Sequence, residues 1–113
     1  MLTIQALQDL GVNTKEGLAR CLNKEEFYFR LISKSMKEDS FEKLKEAVEA
    51  NDLDKAFELA HALKGVTGNL SLTPLYDTIA EMTELLRARK QVDYTPYVKA
   101  MMENVDALRL LCD

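Results

Sequence analysis

Apolar residues near the end of the chain fall at Tyr94, Val98, Met101, Val105, Leu108 and Cys112, a spacing of 4, 3, 4, 3 and 4. Only an α-helix brings side chains three and four apart onto one stripe, whereas a strand needs alternation at every second residue. The same period recurs along the chain. Phe41, Leu44 and Val48 form one inner stripe, and Leu75, Ile79, Met82 and Leu86 form another. Strand-like alternation is weak, and proline occurs only at Pro74 and Pro96. These patterns predict an all-α fold.

Capping chemistry sets the expected boundaries. A short first helix covers Ile4 to Leu10 and stops at Gly11. Asn13-Thr14-Lys15-Glu16 pairs a cap residue with an acid three positions on, opening a helix to about Leu22. Asn23-Lys24-Glu25-Glu26 repeats the signature for a helix to about Glu38, and Asp39 or Ser40 caps the next. Asn51-Asp52 then breaks the chain and opens the helix that carries the only histidine. Thr73-Pro74 reads as a cap followed by proline at the first helical position, where a missing N–H costs nothing. Thr95-Pro96 repeats that device, with Asp93 as the alternative cap. The expected architecture is an antiparallel four-helix bundle of helices of about 11–20 residues with short loops, the short N-terminal helices lidding one end. The 113 residues suit one domain, 1–113, and no internal repeat is visible.

Composition removes several function classes. No run approaches ~18 uninterrupted apolar residues, so no membrane span is expected. Met1-Leu2-Thr3-Ile4-Gln5 does not open a secretory signal. A net charge of −4 disfavours nucleic acid as the main partner. Cys21 and Cys112 form no C-x-x-C pair and read as reduced, small apolar residues, which makes the cytoplasm the expected compartment. The five methionines and the Tyr94/Tyr97 pair read as core filling.

His61 is the remaining unusual feature. It opens the segment His61-Ala62-Leu63-Lys64-Gly65-Val66-Thr67-Gly68-Asn69-Leu70-Ser71, which holds two of the four glycines in the chain. A mid-helix glycine costs roughly 0.5–1 kcal/mol against alanine, so a reason is required. At about 100° per residue, Gly65 and Gly68 fall within roughly 40° of His61, and Lys64 lies about 60° to one side. Ala56, Leu59, Leu63, Val66 and Leu70 line up opposite, as a core seam would. The imidazole is expected to point outward over a patch stripped of side chains, open to another molecule's backbone.

Neutral imidazole is a good nucleophile near neutral pH and can accept a phosphoryl group and release it again. Such a carrier needs exposure, room for a donor and a cation for the phosphate oxygens, which His61, the two glycines and Lys64 supply in turn. No G-x-x-x-x-G-K-S/T loop or kinase signature accompanies them. The segment resembles the signature of histidine phosphotransfer (HPt) domains of two-component phosphorelays, through His61, Leu63, Lys64, Gly65, Gly68, Asn69 and Leu70. The resemblance extends to chain length and helix order, including the lead-in Gly11-Val12-Asn13-Thr14-Lys15-Glu16-Gly17-Leu18. It implies that His61 is phosphorylated on its outer nitrogen by a receiver-domain aspartyl phosphate, and that Lys64 helps hold the phosphoryl oxygens. It also implies that Gly65 and Gly68 admit the receiver's loops, and that magnesium belongs to the receiver rather than to this chain. Ser71 departs from the pattern, which usually has glycine there, and Val66 and Thr67 replace smaller residues. Altered packing is the expected consequence.

The same residues admit other readings. Glu58-Leu59-Ala60-His61 is a Glu-x-x-His element of the kind used in di-iron bundles, but two inward-facing elements are needed and the chain has one outward histidine. No metal site is expected, and a single histidine assembles no hydrolase triad. Phe57, one turn before His61, and Asn69, near the helix end, are expected docking contacts for the partner. Asp77, Glu81 and Glu84 read as the solvated face of their helix. The expected protein is a monomeric, non-enzymatic phosphoryl carrier between a hybrid histidine kinase and a response regulator. The alternative is a helical adaptor that binds a receiver domain without being phosphorylated, and a third reading is a module excised from a longer kinase chain.

Overall fold

The computed structural model describes residues 1–112, so Asp113 of the expected 1–113 domain lies outside the described residues. Seven helices follow one another: α1 (Ile4–Asp9), α2 (Thr14–Arg20), α3 (Glu25–Lys37), α4 (Ser40–Glu49), α5 (Leu53–Asn69), α6 (Thr73–Arg87) and α7 (Thr95–Cys112). All regular structure among the described residues is helical, as the periodicity requires. Two of the predicted caps form as expected: Asn13 accepts from the Glu16 N–H, and Asp52 accepts from the Lys55 N–H. Asp93, the alternative cap, accepts from the Thr95 N–H at 3.0 Å.

Two other caps are corrected. Asn23 is not the cap of α3; Lys24 takes that position, and Asn23 has φ +58°. Thr73 is not the cap of α6 either, because Leu72 takes that place and Thr73 lies inside the helix. The reason is shared. Five of the six interhelical turns end the preceding helix with a left-handed residue, at Gly11, Leu22, Asn51, Ser71 and Arg89. Each turn returns two N–H groups to the last carbonyls, as where Ser71 N–H donates to Gly68 and Leu72 N–H to Thr67. This is the Schellman arrangement, usually built on glycine. Four of the five here use a side-chain-bearing residue; after Leu22 the offered cap Asn23 is itself left-handed, and after Ser71 the next helix already begins at Thr73, whereas Asp52 follows its turn and still caps α5.

Helix α5 lies between α4 and α6, while α7 closes against α6, α4 and α3. Chain direction follows from long-range bonds. Tyr28, near the start of α3, donates to the carbonyl of Leu70 after α5, so α3 and α4 together run opposite to α5. Arg109, near the end of α7, donates to the carbonyls of Met36 and Glu38 where α3 gives way to α4. Four helices exceed ten residues, α3, α5, α6 and α7, and the ten-residue α4 continues the course of α3 after the break at Glu38 and Asp39. The N-terminal helices cover the end at the α5–α6 turn. Leu7 is fully buried, and the Asn13 N–H donates to the Ser71 carbonyl.

The core includes Tyr28, Ile32, Met36, Phe41, Leu44, Leu75, Ile79, Met82, Leu86, Met101 and Val105. Three expectations change. Ala47 rather than Val48 completes the α4 stripe. Met36, Met82 and Met101 fill the core, but Met102 is half-buried and Met1 is exposed. The inner face of α5 is Leu53, Ala56, Ala60, Leu63, Thr67 and Leu70, a stripe rotated by roughly 50° from the predicted one. Val66, expected on the seam, is 38% exposed, and Leu59 is half-buried. Helix α3 leans on α7 and leaves these two beside a groove shared with Leu31 and Lys34. Thr67 is buried in exchange and satisfies its hydroxyl by donating to the Leu63 carbonyl at 2.8 Å.

Candidate functional site

His61 occupies the middle of α5 and is exposed. It shares an open recess of about 370 Å³ with Lys64, Gly65, Gly68, Asn69, Tyr76 and Arg20. The expected residues His61, Lys64, Gly65, Gly68 and Asn69 are thus brought together, and Phe57 borders them through the imidazole. The two glycines differ. A Cβ built on Gly65 meets nothing within 4 Å, whereas one on Gly68 comes within 3.0 Å of the Tyr76 ring. Gly65 is the bare patch that the wheel predicted. Gly68 has an internal reason, the close approach of α6 through Tyr76.

Phe57 is half-buried, and its ring stacks on His61 with centroids 5.8 Å apart and planes 24° from parallel. The guanidinium groups of Arg87 and Arg89 lie 5.0 and 4.9 Å from the same ring centroid. Such contacts contribute about 0.5–1 kcal/mol each at exposed positions. Arg89 comes back toward α5 because it is the left-handed residue that ends α6. It donates to Asp54 at 2.6 Å and to the Leu86 carbonyl at 2.7 Å. Any partner meeting Phe57 therefore also meets guanidinium groups.

Lys64 is not a free cation. Its Nζ lies 3.9 Å from Glu84 on α6, and Glu84 also pairs with Arg87 at 3.4 Å. Glu84 is thus more than the solvated residue read from the sequence. At the other end of the recess Arg20 of α2 donates to the Gly68 carbonyl at 3.4 Å and pairs with Glu16 at 2.9 Å. Asn69 lines the recess and is exposed. Arg20, Tyr76, Glu84, Arg87 and Arg89 were all missed by sequence reasoning. Each reaches α5 from another helix or a turn, and no spacing in the chain signals such a meeting.

Ser71, where glycine was noted as usual, has φ +55° and is the left-handed residue after α5. Its hydroxyl is buried with no hydrogen-bond partner. A glycine would adopt this left-handed backbone without the strain that a side chain brings.

An all-helical bundle with one outward histidine, a bare glycine one turn on and cations around it defines the class. A family model described as the Hpt domain matches residues 33–110, more than half of the chain, and the chain belongs to that family. Hpt domains are phosphocarriers that serve histidine phosphotransfer in phosphorelays and interact there with receiver domains. The matched span contains His61 and every recess residue except Arg20, which lies with the Gly11–Leu18 lead-in outside it. No curated protein and no solved structure matches the chain. No helix among the described residues is long and apolar enough to cross a membrane.

Proposed function

We propose that His61 is the phosphoryl acceptor and donor of this chain, relaying the group between receiver-domain aspartates from a hybrid sensor kinase to a response regulator. The outer imidazole nitrogen attacks phosphorus, the bond from phosphorus to the aspartate oxygen breaks, and the carboxylate leaves. The reverse step returns the group to a second aspartate. One observation carries this reading: the exposed His61 of an Hpt-family chain stands one turn from Gly65, whose open face leaves room for another protein's backbone.

Lys64 supports the phosphoryl oxygens, while Phe57, Gly65, Gly68 and Asn69 form the surface on which the receiver lands. Magnesium and the acidic pocket that organises the acyl phosphate come from the receiver, and the chain acts as a monomeric carrier without an ATP site of its own. Two unpaired cysteines fit a reducing compartment, and the reading places the protein in the cytoplasm.

Incubation with a phosphorylated receiver domain and magnesium tests the proposal. Acid-labile phosphate should appear on the chain and be absent from His61→Gln. A wild-type chain that binds the receiver without taking up label would instead make it an adaptor.

A further inference from the structure

Glu84 is the one carboxylate joined to both Lys64 and Arg87 in the described pairs. Lys64 stands one turn after His61 on α5, and Arg87 lies over Phe57, on which the imidazole stacks. We propose that Glu84 is the resident counter-ion of the site, occupying Lys64 while His61 is unmodified and so setting how strongly the phosphoryl group is held. This rests on the proposed phosphorylation of His61 and deepens it.

A phosphoryl group brings up to about two negative charges and three acceptor oxygens to a place with one cation three residues away. Lys64 meets Glu84 by a single contact at 3.9 Å, and both side chains are partly exposed, so the pair is loose enough to exchange partners. A lysine ammonium is a point charge with rotatable donors, suited to such an exchange. Glu84 does not lose all compensation when Lys64 leaves, because Arg87 remains beside it at 3.4 Å. The phosphorylated state must nevertheless draw Lys64 from a carboxylate and tolerate that carboxylate nearby. Glu84 therefore weakens phosphoryl retention and favours onward transfer. It is a positioning residue that acts through Lys64.

The equilibrium partition of label between a receiver acyl phosphate and acid-labile phosphohistidine tests this in the full chain. Glu84→Gln should shift the partition about two- to fivefold toward phosphohistidine. Lys64→Gln should shift it the other way, and Glu84→Asp should restore the wild-type value at least in part. In the Lys64→Gln background the effect of Glu84→Gln should shrink, which a purely structural role would not produce. Circular dichroism confirms helix content in each variant. A labelled wild type with an unchanged partition in Glu84→Gln, or an equal effect in both backgrounds, overturns this inference alone. A wild type that never takes label overturns the phosphorylation of His61 and this inference with it.

Discussion

The ring of Tyr76 occupies the space that a side chain on Gly68 would need, at 3.0 Å from the position of the missing Cβ. The two glycines near His61 therefore answer to different neighbours, and their substitutions separate. Gly65→Ala should raise stability by about 0.5–1 kcal/mol, since it relieves helix entropy without a clash. Gly68→Ala should gain less or lose stability, because Tyr76 must move by a few tenths of an ångström. Urea midpoints of the two variants check this. Gly65→Gln should keep the fold and block phosphoryl uptake from a receiver, and uptake at the wild-type rate would refute the open-patch argument.

Ser71→Gly should stabilise the protein by about 1 kcal/mol. Left-handed backbone costs a non-glycine residue roughly 1–2 kcal/mol, and the substitution also removes a buried hydroxyl that has no partner. Part of the gain is returned through the greater freedom of glycine in the unfolded chain. Thermal or urea unfolding at neutral pH reads the difference, and an unchanged midpoint counts against strain at this turn.

Gly17→Ala should be destabilising by about 1–3 kcal/mol, opposite to the usual effect of replacing a helical glycine. A Cβ there overlaps the hydroxyl and ring of Tyr28, which is fully buried and donates to the Leu70 carbonyl at 2.7 Å. Burial, with the nearby Cys21, pushes the Tyr28 hydroxyl up to about 12, so it remains a neutral donor. Gly17→Ala paired with Tyr28→Phe should show non-additive losses in a double-mutant cycle.

Acid should loosen the contact between α7 and the α3–α4 break. Hydrogen bonding to the Arg109 guanidinium holds the Glu42 carboxyl below its ordinary value near 4.5, against the opposing effect of burial. A depressed carboxylate contributes stability above its unfolded pKa and loses it as pH falls through the lower folded value. The loss therefore falls below about pH 4.5. Both side chains are partly exposed, so the pair is worth less than about 1 kcal/mol. Arg109→Ala should cost more, about 1–2 kcal/mol at neutral pH, because two backbone carbonyls also lose their donor. Unfolding followed from pH 7 to pH 3 in wild type and Glu42→Gln reads the pH-dependent part.

Local signals were legible in the sequence because their physics closes within one or two turns. Asn13 and Asp52 cap their helices from the residues beside them, and the stripe of α7 buries Val98, Met101, Val105 and Leu108 as its spacing requires. Helix geometry alone also put His61, Gly65 and Gly68 on one face, away from most of the apolar stripe. Which side of α5 would be covered was decided by tertiary packing. Helices α4 and α6 bury Ala60 and Thr67, and α3 leans away on α7, leaving Val66 exposed. The meeting of Lys64 with Glu84, of Phe57 with Arg87 and Arg89, and of Gly68 with Tyr76 was likewise decided only when α6 docked on α5. Periodicity specifies a face and its opposite, but the partner of a face is set by how whole helices share one core.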